Sequence, residues 1–192
     1  MSILTSSTRQ WILRVCFILC VLLSVGRPAL SSQTAIPKEY QIKAVFLFNF
    51  AQFVKWPPAA LPDAGQPFRI GILGDDPFGP FLDETVRGEK VDGHPLVIQR
   101  FGRVEDIKGC QILFVSRSES QRMGVVLAGL KNRNILTVGD MEGFIKNGGI
   151  IRFSKEGNKI HLRINLEAAK RVRLSISSKV LRLAEIARPG ED

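Results

Sequence analysis

Four short apolar runs, each closed by turn residues, constrain this chain more than any other feature: "FRIGILG" (68–74), "HPLVIQRF" (94–101), "CQILFVS" (110–116) and "NILTVGD" (134–140). Each has the length and β-branched or aromatic content of a buried strand. Helix-sized segments lie between them, at 80–86 and at 119–130, where Met123, Val126, Leu127 and Leu130 share one side. Strands alternating with crossover helices build a mostly parallel sheet. Further on, 150–154 and 159–164 read as a hairpin joined by "KEGN", so one sheet edge is expected to be antiparallel. Asp140 is placed to cap a short helix, "MEGFIKN", stopped by Gly148 and Gly149. Asn165 is placed to cap a long final helix running from Leu166 to about Arg188. The expectation is a single α/β three-layer sandwich with about six strands and four or five helices.

Ahead of this body, Met1 to Arg14 is basic and free of acid, and "VCFILCVLLSV" (15–25) is apolar, with a small-residue site at "ALS" (29–31). That is the layout of a secretory signal over residues 1–31, cleaved at or just beyond Ser31. The apolar run falls short of the ~20 residues that span a bilayer, which disfavours a retained anchor. Lipid attachment at Cys20 is disfavoured by Leu19 before it and the apolar residues after it. The domain is then expected over 37–188, with a polar tail at 189–192, in a periplasm. Removing the leader takes away three arginines and no acids, lowering the net charge from +9 to +6. It also removes Cys16 and Cys20, leaving Cys110 alone, so no disulfide can form within the mature chain.

The opening helix, expected from Pro37 to about Trp56, carries six aromatic rings in the seventeen residues from Tyr40. Ile42, Phe46, Phe50 and Phe53 form a stripe at helical spacing, while Phe48 and Trp56 lie off it. Two readings follow: the "PPAALP" linker covers the surplus rings, or Phe48 and Trp56 meet a dimer mate or a receptor. The final segment places Lys170, Arg171, Arg173, Lys179 and Arg182 within thirteen positions, with no acid before Glu185. These bases either solubilise a core helix or dock an acidic partner or membrane.

Chemistry finds little support. The loop Asp75, Asp76, Pro77, Phe78, Gly79 follows a strand, where open sheets place ligands. Its glycines lack the G-x-G-x-x-G turn, and the two aspartates would repel a phosphate; a capped strand-to-helix turn is the competing reading. His94 and His161 have no ligands at metal spacing, and Ser116, Ser118 and Ser120 occupy no nucleophile elbow. No catalytic residue, metal or cofactor is expected, and nothing resembles a nucleic-acid reader.

In order along the chain, several blocks resemble the YfiR family. The first helix is similar through Lys43, Ala44, Phe46, Leu47, Phe50, Phe53, Trp56 and Pro57, and the next block through Ile70, Gly71, Gly74, Pro77, Phe78, Gly79 and Gly93. Cys110, Leu113, Phe114 and Ser116 follow, then Thr137, Phe144, Gly148, Gly149, Ile151 and Phe153. The last block holds Ile164, Asn165, Ala168, Leu174, Ser177, Ser178, Lys179 and Leu183. The resemblance implies a non-enzymatic periplasmic regulator that binds the sensing region of an inner-membrane protein, most often a diguanylate cyclase that it represses. A histidine kinase as the partner, a homodimer, a small-ligand carrier or sensor, and a transport accessory are the other readings. Cys110, without a mature mate, departs from the disulfide-bearing relatives.

Overall fold

The computed structural model describes residues 36–157, 159–188 and 191, so the leader expected at 1–31 and most of the tail lie outside the described residues. Residues from Ile36 onward form one compact unit. An eight-stranded sheet runs through it in the order β10-β8-β7-β6-β5-β2-β4-β3. The strands are β2 (Phe68–Leu73), β3 (Lys90–Val91), β4 (His94–Phe101), β5 (Ile112–Val115), β6 (Leu136–Gly139), β7 (Ile151–Glu156), β8 (Lys159–Ile164) and β10 (Ala184–Ile186), while β1 (Val54–Lys55) and β9 (Ser175–Ile176) pair separately. The neighbours from β4 through β7 are parallel, as the crossover spacing predicts.

Side chains alternate across the central strands, and both faces are covered. Phe68, Ile70, Ile72, Ile112, Phe114, Leu136 and Val138 pack with α1 (Lys38–Phe53), α2 (Pro80–Val86), α4 (Leu166–Arg171) and α5 (Ser178–Leu181). Leu73, Phe101, Leu113 and Val115 pack with α3 (Met123–Gly129) and with Met141 and Phe144 on the other side. A Cβ at Gly71 would meet the Cys110 sulfur and the Phe101 ring at 2.8 Å, so the second layer closes only over glycine.

Several local expectations are corrected. The α-helix of the opening segment ends at Phe53, because Val54 turns extended and pairs with Ile176; Pro57 also bars its preceding residue from helical backbone. The stretch 119–130 is a 3₁₀ turn over Arg117–Arg122 followed by α3. Residues 141–147 form successive turns and no helix, since Gly143 at φ +75° breaks the winding. The hairpin β7–β8 is antiparallel as expected, but it is not the edge, because β10 adds outside it in parallel. The antiparallel edge is β3, folded onto β4 through Asp92 and Gly93, both at positive φ. That Asp-Gly pair is a hairpin signal in the sequence that the strand reading passed over.

The largest correction is the final helix, which is broken into α4, β9, α5 and β10. Asn165 does cap α4, its side chain accepting from the Ala168 amide at 2.9 Å. Arg173 then adopts φ +56°, with Arg173 N–H bonded to Lys170 O and Leu174 N–H to Ala169 O, the closing bonds of a Schellman turn. Buried Leu174 seals it. The apolar periodicity of 166–188 arises from separate elements taking turns against the core.

Candidate functional site

Two regions carry the unusual chemistry. The first is a buried ionic cluster where α1 meets the carboxyl ends of the parallel strands. Lys43, on the inward face of α1 beside Ala44 and Leu47, is 1% exposed. Its ammonium reaches Glu39 Oε1 and Asp140 Oδ2, each at 2.5 Å, and lies 4.4 Å above the Tyr40 ring. Tyr40 donates its hydroxyl to Asp140 Oδ2 at 3.1 Å. Arg117, just beyond β5, brings Nε to 3.1 Å from Asp140 Oδ1 as an ion pair without hydrogen-bond alignment. Lys155 of β7 reaches Glu39 at 3.3 Å.

The electrostatics follow from that geometry. Burial works against ionised Glu39, but Lys43 and Lys155 outweigh it and hold the carboxyl below its ordinary value. Burial, reinforced by the Asp140 charge, pushes the Tyr40 phenol up to about 12. Arg117 is held more firmly protonated, because Asp140 outweighs its partial burial. The cluster lines a cleft of about 570 Å³ with Arg152 and Glu142. Its central charges neutralise one another, so its evident work is to clamp α1 to the ends of β5, β6 and β7. Sequence reading missed the Lys43–Asp140 pair, whose members are far apart in the chain. The available signal was a lysine inside the apolar run "QIKAVFLF".

The second region is the surface around α5. Leu183 is 66% exposed, and Val45 and Ile186 are also exposed. Beside Leu183, a shallow apolar groove of about 130 Å³ is formed with Phe46, Phe53 and Lys179, whose ammonium sits 5.0 Å over the Phe53 ring. Exposed Arg182 adjoins it in sequence. One of the two edge strands of the sheet, β10, continues from this turn.

The residues picked from sequence do not gather in one patch. Trp56 is 8% exposed, stacked edge-on against Phe68 and donating its indole N–H to Gln111 O at 3.1 Å. Phe48 is half-buried on the flank of α1 it shares with Gln52, whose side chain bonds Lys90 O of β3. Arg171, Arg173 and Arg182 are all exposed, but Arg171 lines a separate cleft near α3. In the loop after β2, Asp76 accepts from the Phe78 amide at 2.7 Å and binds Arg100 at 2.8 Å. Asp75 donates its amide to Ser118 Oγ, Gly79 takes φ +51° and gives its carbonyl to Arg100, and Pro77 is half-buried. Phe78 is fully buried between Tyr40 and Phe114. Most of this loop's polar groups are spent on the fold.

Cys110 is buried, and burial pushes its thiol up to about 12, which leaves it in the unreactive protonated form. Among the described residues, no group of three or more His, Cys, Asp or Glu could hold a metal ion, and no helix is long and apolar enough to cross a membrane.

With this geometry in place, residues 40–185 match the YfiR/HmsC-like family. The chain belongs to that family. Membership places the protein in the periplasm. None of the curated proteins matches the chain significantly. Among solved structures, a conserved domain protein from Vibrio cholerae O1 biovar El Tor matches at 12% identity and TM-score 0.45, over 62% of this chain and 54% of that one. An ABC domain in complex with L-Trp from Streptococcus pneumoniae matches at 11% identity and the same TM-score of 0.45, over 62% and 54%. The chain therefore spans about half the length of each.

Proposed function

We propose that this YfiR/HmsC-like protein binds the periplasmic sensing region of an inner-membrane diguanylate cyclase and holds its output low, without catalysing a reaction itself. The observation that supports a docking role is the exposed Leu183, set beside the Phe46–Phe53 groove and flanked by Lys179 and Arg182. A large aliphatic side chain left in water next to aromatic surface and cations that meet no carboxylate among the described residues fits an interface whose partner is apolar at its centre and acidic at its rim. Of the residues picked from sequence, Arg182 belongs to this contact. Phe48 and Trp56 lie elsewhere, Arg171 ends α4 and Arg173 follows it, all outside the groove.

The test is recovery of the partner. The tagged protein, exported and cross-linked in living cells, should retain one inner-membrane protein with a periplasmic sensing region and a cytoplasmic cyclase domain. Leu183→Asp combined with Arg182→Glu should abolish that retention while export and melting temperature hold. Recovery of a histidine kinase would replace the cyclase in this reading, and recovery of only envelope transport components would end it.

A further inference from the structure

A cleft of about 450 Å³ opens between α3, the turn after it, the 146–150 loop and α4. Its floor is apolar and buried: Leu127, Ile135 and Ile150 are at most 6% exposed. Three cations from three separate segments line it, Lys131 after α3, Lys146 in the loop and Arg171 at the end of α4, and all three are exposed. No aspartate or glutamate contributes to the lining. Glu167, the acid that feels Arg171, is already held by Lys170 at 2.9 Å. This is the reverse of the clamp around Lys43, where every cation is met by a carboxylate.

Like charges gathered round a concavity with low-dielectric walls focus a positive potential into it. Arg171 ends α4 and Lys131 lies just past α3, positions at a helix C-terminus that favour a cation locally, but Lys146 has no such reason to face the same hollow. Thr137, 6% exposed and part of the lining, accepts from the Ile150 amide at 3.1 Å and retains its own hydroxyl proton to donate. The volume lies within the range of small-molecule sites, roughly 300–1,000 Å³. A bare inorganic ion would leave the apolar floor unfilled, and a neutral hydrophobe would leave three cations unanswered.

We infer that this cleft is a binding site for a small amphipathic anion: a carboxylate or phosphate monoester carried on a compact apolar group. The anionic head sits among Lys131, Lys146 and Arg171, and the apolar body lies on Leu127, Ile135 and Ile150. The site is independent of the docking surface proposed at Leu183 and is tested on the isolated protein, so either can fail alone.

The protein, isotopically labelled and purified from the periplasm, is titrated at low salt with phenyl phosphate and with hexanoate, following backbone amide shifts. Inorganic phosphate and phenol serve as controls that carry the head or the body alone. Saturable shifts confined to 127–137, 146–150 and 168–172 are expected, with each control binding at least about tenfold more weakly. Lys131→Gln, Lys146→Gln and Arg171→Gln combined should remove the phenyl phosphate response while the melting temperature holds, since all three side chains are on the surface. Failure of both probes to saturate, shifts centred elsewhere, controls as strong as the probes, or undiminished binding to the triple variant would each overturn the site.

Discussion

The clamp around Lys43 and the surface around Leu183 use the same kinds of residue in opposite ways. In the clamp, charges are taken out of water and each is answered: Lys43 by Glu39 and Asp140, Asp140 also by Tyr40 and Arg117. Around α5, exposed Lys179 and Arg182 meet no carboxylate among the described residues, and Leu183 stays in water beside them. Buried charge that is fully paired belongs to the architecture, because losing a partner is far more costly than keeping it. Exposed charge beside exposed apolar surface costs the fold little and is free to serve something else. The difference separates what holds this domain together from what it offers to a partner.

The sharpest way to break that contrast is Lys43→Ala. It leaves Asp140, whose side chain is 1% exposed, without its lysine, and should cost about 3–5 kcal/mol in urea denaturation. A loss no greater than that of a surface change would mean that water enters and that the clamp is not structural. Replacing both members, Lys43→Met with Asp140→Leu, should recover much of that loss, since no charge is left unpaired. A double variant as unstable as the single would show that Tyr40 and Arg117 depend on Asp140 more than the pair depends on itself.

Tyr40 gives a spectroscopic readout, because it is the chain's single tyrosine. Its phenolate absorbance should appear with a midpoint near 12 in the native protein, against 10.0 when unfolded. A raised value means the folded state holds the proton more tightly. The stability this contributes is complete below the unfolded value and is lost as pH rises through the folded one. Asp140→Asn should lower the native midpoint without returning it to the unfolded value, since burial remains; an unchanged midpoint would remove Asp140 from the phenol's surroundings. For Glu39 the sign is opposite. Its lowered value contributes stability present above 4.5 and lost as pH falls through the folded value, and Lys155→Gln should shrink that acid-limb dependence. The smallest effect belongs to the surface: Arg182→Ala should change stability by no more than about 0.5 kcal/mol. A larger loss would place Arg182 in the architecture.

The parallel centre of the sheet was legible because β2, β5 and β6 are buried on both faces and read as continuous apolar runs. The final helix was not, because Ala169 and Val180 fall at helical spacing although a left-handed turn at Arg173 and a strand lie between them. Nothing in an arginine announces positive φ. The opening helix was legible as a helix, yet its inward stripe was displaced: the buried positions are 43, 44, 47, 50 and 51, and Phe46 and Phe53 sit at the margin. A lysine within the buried face hid the true centre of that stripe. For the same reason the clamp escaped notice, while aromatic Trp56 drew attention to a side chain that the core consumes.

The docking proposed at Leu183 should transmit to the proposed cyclase partner. Cellular cyclic-di-GMP, measured after deletion of the gene and again after complementation, tests this most directly. Deletion should raise it, the wild-type chain should restore the low level, and an exported, folded Leu183→Asp/Arg182→Glu chain should not. An unchanged level on deletion, or full restoration by that double variant, would contradict the account.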